Sequence, residues 1–262
     1  MKIYVCVKQV PDTETKIRLN SDDSGIDDNS VKWILNPYDE NGIEEALKIK
    51  EARPGSTVSI ISLGPKKRVI EAIRTGLAMG ADEGIVIDAP SNLDGDLTAK
   101  ALAAAIKGEG AFDILFTGKL AIDDNNSYVG QALAEFLAIP HASVVSKLEV
   151  EGEGSSLIAR VEREVEGGAR EQIELLGPCL IAANKGLNTP RYASLPGIMK
   201  AKKKPLKELA LSELGIELDQ QKTFYSAFQL PPEKAPTKIL QGDLKSQVKE
   251  LVGLLKQDSK VL

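Results

Sequence analysis

The stretch "FDILFTGKLAIDDNNSYVGQALAEFL", residues 112–137, decides the fold. It opens with an apolar run typical of a buried parallel strand, passes through a polar segment and ends in a helical pattern. Similar runs rich in Val and Ile are "IYVCVKQV" (3–10), "VSIISLG" (58–64) and "GIVID" (84–88). Segments with helical spacing separate these runs, so the sequence predicts an α/β fold with a doubly wound, mostly parallel sheet.

The pattern changes after about residue 142. The runs "SVVSKLEVEGE", "SLIARVEREVEGG", "REQIELLG" and "CLIAAN" are separated by Gly-rich turns and predict antiparallel hairpins added to the sheet. Residues 189–205 show no period. "PPEKAPTK" then predicts an extended linker before a final helix, "GDLKSQVKELVGLLKQ", which we interpret as a docking arm. We therefore divide the chain into residues 1–188, 189–205 and 206–262.

Composition excludes several classes of protein. The net charge of -5 and pI near 5.2 argue against nucleic-acid binding, which favours basic domains. Cys6 and Cys179 are too few for a disulfide framework, and the single His141 has no partners for a usual metal cluster or triad, so we expect no catalytic residue and no metal. The chain starts as a strand and has no apolar run of membrane-spanning length, which predicts a cytoplasmic protein without membrane insertion.

The 118–137 segment is the best candidate for a nucleotide site, because neither G-x-G-x-x-G nor the P-loop motif is present. It leaves the carboxyl end of a predicted strand and enters a helix, the place where open α/β sheets bind ligands. Asn125, Asn126 or Ser127 is the expected helix cap. Free amides at this helix start would face an anion.

Two acids complicate this interpretation, since the carboxylates of Asp123 and Asp124 repel a phosphate. We therefore assign the phosphate contact to backbone amides together with Asn126, Ser127 or Gln131. The acids would cap the helix or contact a ribose. An ordinary capped helix start and a metal-binding Asp pair are the alternatives.

A second loop, "NPYDENGIEEA" at 36–46, also opens a helix after a predicted strand. The ring of Tyr38 could lie against a nucleotide base. Taken alone, this loop is equally typical of a helix that begins with a proline.

The stretch "RYASLPGIMKAKKKP", residues 191–205, places Leu195 beside a concentrated positive charge. A leucine at a loop tip can bury in a pocket of a partner, and neighbouring lysines steer the loop toward an acidic surface. The alternatives are a solvated lysine run and a leucine that folds back into its own core.

As one ordered set, these loops with "VKQVPD", "ALAMGADEGI" and "VEREVEGGAREQIEL" resemble the beta subunit of electron transfer flavoprotein over nearly the whole chain. The resemblance implies an adenine-nucleotide-binding type of fold. It implies a heterodimer whose alpha subunit makes most contacts to FAD, while the beta subunit binds an AMP that has no redox role. It also makes residues 189–205 a partner-recognition loop with Leu195 at its apex.

The resemblance also carries site residues over by motif. The AMP contacts would be Cys6, Asn36, Pro37, Tyr38, Asp39, Leu63, Ala121, Ile122, Asp123, Asp124, Asn125, Asn126, Ser127, Tyr128, Val129, Gly130, Gln131 and Ala132. The partner contacts would be Tyr192, Leu195, Pro196, Ile198, Met199, Lys200, Lys202, Lys203 and Lys204.

The implied function is that of an electron carrier without substrate turnover, which takes electrons from acyl-CoA dehydrogenases and passes them to a flavoprotein-quinone oxidoreductase. Family members that bifurcate electrons hold a second FAD in place of AMP. Here "AIDDNNSYVG" is closer to the AMP type, although Ser127 and Tyr128 replace its usual Gln-Thr pair. A flavin-free nucleotide sensor is another alternative, whereas an ATP-dependent adenylating enzyme would need a phosphate loop that "KQVPDTET" lacks.

Overall fold

The computed structural model describes residues 1–234 and 236–261 and divides the chain into two compact units, Met1–Ala227 and Phe228–Leu262. The strands are β1 (Lys2–Cys6), β2 (Gln9–Pro11), β3 (Trp33–Leu35), β4 (Thr57–Gly64), β5 (Glu83–Asp88), β6 (Ile114–Gly118), β7 (His141–Glu151), β8 (Ile158–Glu164), β9 (Arg170–Leu176), β10 (Cys179–Ala183) and β11 (Leu206–Ala210). The helices are α1 (Pro37–Ala52), α2 (Lys66–Met79), α3 (Gly95–Gly108), α4 (Val129–Leu137), α5 (Leu195–Ala201) and α6 (Leu244–Gln257). Within the described residues, none of these helices has both the length and the apolar content of a membrane span.

Nine strands form one sheet in the order β11-β5-β4-β1-β6-β10-β7-β8-β9. The strands from β11 to β7 run parallel, and β7, β8 and β9 form an antiparallel meander at the end. The predicted α/β fold with a mostly parallel sheet is therefore confirmed, together with the added hairpins.

The expected position of "CLIAAN" is wrong. This run forms β10, which lies parallel between β6 and β7 instead of joining the antiparallel meander. All five residues of β10 are buried, because Cys179 and Ile181 pack in the apolar layer on one face of the sheet, and Leu180 and Ala182 pack in the layer on the other. A continuous apolar run of this kind is typical of a parallel strand.

Two apolar layers lie on opposite faces of the sheet, and β1 contributes to both. Ile3 and Val5 pack with residues of α1 and α2, whereas Tyr4 and Cys6 pack with residues of α3 and α4. This alternation follows from the two-residue period of a strand. In the parallel part of the sheet, from β11 to β7, β1 is the fourth of seven strands and thus the central one.

The strand order reverses between β1 and β6. From β1 the chain builds outward through β4 to β5, and it then returns to place β6 on the other side of β1. Open α/β sheets bind ligands in the crevice outside the carboxyl ends of the strands at such a switch point.

The side chain of Asp39, in the first turn of α1, joins the two strand ends at this point. Its Oδ2 accepts a hydrogen bond from the N–H of Lys8 at 2.7 Å, just beyond β1. Its Oδ1 accepts one from the N–H of Gly118, the last residue of β6, at 2.9 Å. Burial raises the pKa of this carboxyl to about 7, although the hydrogen bonds that it accepts oppose the shift.

We expect Asp39→Asn to lower the melting temperature of the full-length chain by about 2–12 °C at pH 5. The variant leaves one buried N–H facing an NH2 group, which costs about 1–3 kcal/mol, and each kcal/mol corresponds to about 2–4 °C. The measurement is thermal unfolding followed by circular dichroism.

The difference in melting temperature between wild type and Asp39→Asn should narrow as the pH rises. The folded pKa of Asp39 is above its value of about 3.9 in an unfolded chain, so ionisation costs the wild type stability between about pH 4 and pH 7. Glu135→Gln, which changes an exposed carboxylate on α4, is the matched control. It should alter neither the melting temperature nor its dependence on pH. Equal melting temperatures for wild type and Asp39→Asn at pH 5 would contradict the role assigned to Asp39.

Candidate functional site

The two loops singled out in the sequence lie side by side at the switch point. Asn36, directly before α1, is buried and donates from Nδ2 to the carbonyl oxygen of Leu120 at 2.9 Å. Its Oδ1 accepts a hydrogen bond from the N–H of Ile122 at 3.3 Å. One buried amide therefore fixes the start of the β6–α4 loop, residues 119–128, against the start of α1.

The expected cap of α4 is wrong. The helix begins at Val129, and its N-cap residue, Tyr128, makes no capping hydrogen bond through its side chain. Asn125 and Ser127 lie ahead of the helix with φ angles of 54° and 51°, a left-handed conformation that is costly for residues other than glycine. The first N–H groups of α4 thus receive no side-chain cap and are suited to an anion.

A buried hydroxyl lies beneath the first turn of α4. Thr117 is buried near the end of β6, and its Oγ1 has no hydrogen-bond partner among the described residues. A Cβ atom on Gly130 would lie only 2.9 Å from this oxygen, so the glycine allows α4 to approach the strand closely. The uncapped helix start and the unpaired hydroxyl together fit a polar ligand at this position.

The acids of the β6–α4 loop do not cap α4. The ammonium group of Lys8 contacts the carboxylate of Asp123 at 2.9 Å and that of Asp124 at 3.2 Å. Burial disfavours the charge on Lys8, but the two carboxylates outweigh it and raise the pKa of Lys8. Asp124 also accepts a hydrogen bond from the N–H of Asn126 at 3.1 Å, which shapes the loop itself.

The remaining predicted nucleotide contacts lie on both faces of the sheet. Cys6 and Leu63, near the ends of β1 and β4, pack in the layer that contains α3 and α4. Burial, followed by the charge of Asp39, raises the pKa of the Cys6 thiol. Pro37 and Tyr38 lie in the first turn of α1, and the ammonium group of Lys119 is 5.1 Å from the centre of the Tyr38 ring.

The β6–α4 loop also contains several predicted contacts that surround the helix start. They are Ala121, Ile122, Asp123, Asp124, Asn125, Asn126, Ser127 and Tyr128, followed in the first turns of α4 by Val129, Gly130, Gln131 and Ala132. The half-exposed ring of Tyr128 lies against Gly95 at the start of α3, where a Cβ atom would come within 2.7 Å of the ring.

The partner-recognition loop contains a short helix, α5, where the sequence predicted no regular structure. The side chain of Ser194 caps it by accepting from the N–H of Gly197 at 3.1 Å. Tyr192, Leu195 and Met199 are 99%, 79% and 72% exposed, and Ile198 is exposed as well. Leu195 therefore does not fold back into the core of the described chain.

The beginning of the partner-recognition loop is fastened to α1. The guanidinium group of Arg191 donates to Glu44 at 2.8 and 3.0 Å and to Glu51 at 2.5 Å. These contacts raise the pKa of Arg191. Three residues earlier, Asn188 exchanges hydrogen bonds with Asn41, which lies one turn before Glu44 and Glu45 on the same helix.

The end of the same loop is fastened to α2. The ammonium group of Lys204 donates to the carbonyl oxygens of Leu77 at 2.9 Å and Ala81 at 2.5 Å, and burial lowers its pKa. Arg74 also donates to the carbonyl oxygen of Ala201. Lys204 is thus held by the chain itself, unlike the exposed Lys200, Lys202 and Lys203.

Sequence reasoning missed Lys8, Thr117 and Arg191. Lys8 and Thr117 lie at the carboxyl ends of two predicted strands, and that position is a signal for site residues in α/β sheets. Arg191 had no such signal, because its partners on α1 are 140 and 147 positions away in the sequence.

Comparison with known proteins agrees with this architecture. A family model described as the electron transfer flavoprotein domain matches residues 23–214. The chain is 40% identical over 267 aligned positions to an electron transfer flavoprotein subunit beta of Bacillus subtilis, and the alignment covers all of both chains. It is 36% identical to the subunit beta of Homo sapiens, with 96% of this chain and 98% of the relative covered. The chain therefore belongs to the electron transfer flavoprotein beta subunit family.

Proposed function

We propose that this chain is the beta half of a heterodimeric electron carrier whose alpha subunit holds most of an FAD. The complex accepts electrons from acyl-CoA and related dehydrogenases of fatty acid oxidation and passes them to a flavoprotein-quinone oxidoreductase. The chain itself converts no substrate. The observation that carries this proposal is the 40% identity, over the full length of both chains, to a protein named subunit beta. A cytoplasmic location stays a prediction.

The proposed ligand of the β6–α4 loop is AMP. The N–H groups of Val129 and Gly130 would bind its phosphate, since no side chain caps α4 and the helix dipole favours an anion there. Cys6, Leu63 and Tyr38 are available to the adenosine part. AMP has no redox chemistry, whereas FAD supplies reversible electron transfer when bound. This chain's residues therefore bind and orient the nucleotide without moving electrons.

Co-expression with an alpha subunit should give a yellow heterodimer, whereas the chain alone should be colourless and poorly soluble. Denaturing the complex should release FAD and AMP in equal amounts, identified by absorbance and mass spectrometry. Two FAD per complex without AMP would support the bifurcating alternative. A colourless complex that releases a nucleotide would instead support the flavin-free sensor.

The partner-recognition loop suits a dehydrogenase contact because it combines an exposed apolar tip with fixed ends. Arg191 ties its beginning to α1, and Lys204 ties its end to α2. The loop therefore presents Leu195 without losing much conformational freedom on binding, and preorganisation of this kind increases affinity.

Leu195→Ala should lower the affinity of the complex for a reduced dehydrogenase by about thirtyfold and so weaken electron transfer from it. The change removes three carbons from a contact buried in the complex, worth about 2 kcal/mol in total. The measurement is the transfer rate as a function of dehydrogenase concentration. The melting temperature and flavin content should not change, because Leu195 is 79% exposed in the free chain.

Leu176→Ala is the matched control, since it shortens a leucine of β9 that is 63% exposed. It should leave the transfer rates unaltered. If Leu195→Ala unfolds the protein while the remaining folded fraction transfers electrons normally, Leu195 is a core residue and the proposed contact is wrong.

The lysines of the partner-recognition loop should differ in what their neutralisation changes: the association rate for some and the stability of the fold for Lys204. Neutralising Lys202 and Lys203 to Gln should slow association at low salt, and the effect should shrink near 0.1 M, where the screening length is about 10 Å. Lys204→Gln should instead lower the melting temperature, because it breaks the contacts with the carbonyl oxygens of Leu77 and Ala81. Stopped-flow rates at several ionic strengths and thermal unfolding separate the two effects. Similar behaviour of all three lysines would contradict this division.

A further inference from the structure

The β6–α4 loop places two carboxylates next to a proposed phosphate site. Asp123 and Asp124 precede the uncapped start of α4 by only a few residues. Left uncompensated, their charges would repel a phosphate and oppose the attraction of the helix start. The site therefore requires a cation that compensates the acids and keeps their carboxylates from accepting the N–H groups of α4.

The side chain of Lys8 meets this requirement. Its ammonium group donates to Asp123 at 2.9 Å and to Asp124 at 3.2 Å, so one cation bridges both acids. The three side chains together then carry one net negative charge, whereas the two acids alone would carry two. Because the two carboxylates pair with Lys8 and do not cap α4, the helix N–H groups stay available.

The backbone of Lys8 is itself fixed. Its N–H donates to the buried carboxylate of Asp39 at 2.7 Å, and its carbonyl oxygen accepts from the N–H of Asn36 at 3.0 Å. The lysine therefore starts from a fixed position just beyond β1 and reaches across to the β6–α4 loop. This route places its charge at the point where the strand order reverses.

Arg68 is a second cation whose charge reaches Asp123, and it already has partners of its own. Its guanidinium group lies 3.8 Å from the centre of the Trp33 ring and pairs with Asp28 at 3.2 Å. These contacts hold Arg68 on the β2–β3 side of the site. It therefore cannot replace Lys8 between the two acids of the loop.

We propose that Lys8 is a positioning residue for the nucleotide phosphate: it holds Asp123 and Asp124 and offsets their charge so that the start of α4 can bind an anion. This inference rests on the proposed nucleotide site. It predicts an effect on the phosphate specifically, since the contacts of the Lys8 ammonium group are with the two acids and it acts through charge. Exposed ion pairs stabilise a fold only weakly, so we expect the effect on binding rather than on folding.

The test uses the complex with the alpha subunit, freed of nucleotide by dialysis against mild denaturant. Isothermal titration with AMP and with adenosine measures the role of the phosphate directly. Lys8→Met should weaken AMP binding by about tenfold, the size expected for one charge near the protein surface, and should leave adenosine binding unchanged. The loss should shrink as salt increases.

Two further variants test the charge argument. Lys8→Arg keeps the cation and should stay within about threefold of wild type for AMP. Adding Asp124→Asn to Lys8→Met removes one of the uncompensated acids and should recover most of the lost affinity. Lys147→Met is the matched control, since it breaks a Lys–Glu pair of 3.0 Å on β7, and it should change neither ligand.

The outcomes separate this inference from the proposed function. Equal losses of AMP and adenosine binding in Lys8→Met would indicate a merely structural role and overturn the inference. Unchanged binding of both ligands would overturn it as well and leave the proposed nucleotide site intact. A wild-type complex that binds neither ligand would overturn the nucleotide site and the inference together.

Discussion

The carboxylate of Asp39 is the contact on which the rest of the site depends. Two neighbouring parallel strands, β1 and β6, part at the switch point, and Asp39 accepts one N–H from just beyond β1 and one from the last residue of β6. The same residue belongs to the first turn of α1, so strand ends and helix are joined by one buried group. Its burial disfavours ionisation, and the two hydrogen bonds offset part of that cost. Asp39 therefore holds the two strand ends together at the position where open α/β sheets bind ligands.

Helix α1 connects the β6–α4 loop to the partner-recognition loop. Its start contacts the β6–α4 loop through Asn36, and residues further along it hold Arg191 at the base of the partner-recognition loop. A helix of 16 residues spans about 24 Å, so one rigid element links regions that are far apart in sequence. Any shift of α1 would displace both loops at once. The fold therefore fixes the proposed nucleotide site and the proposed docking surface relative to the same helix.

The parts of the fold that the sequence predicted are those with a strong local signal. Buried parallel strands such as β4 read as continuous apolar runs, and Pro37 marks the start of α1. The helix α5 has only seven residues and depends on packing that no local pattern reports: a Cβ atom on Gly197 would come within 2.4 Å of the carbonyl oxygen of Ala78. The start of α4 was misplaced because Asn125 and Ser127 are common cap residues, yet here they adopt left-handed conformations that delay the helix. Local chemistry pointed to a loop that the structure places at the switch point, whereas the detailed geometry of that loop depends on distant partners.

Several features meet at the start of α4 and together point to a ligand. Side chains of Asp94, Ser194 and Asp243 cap α3, α5 and α6, whereas α1, α2 and α4 have no side-chain cap. At α4 the side-chain cap is missing, two residues ahead of it have left-handed φ angles, and the hydroxyl of Thr117 lacks a partner among the described residues. Each feature costs free energy in the chain by itself, and local rules of this kind are usually broken where function requires it. An anion at the helix start would accept hydrogen bonds from its free N–H groups and would offset part of these costs.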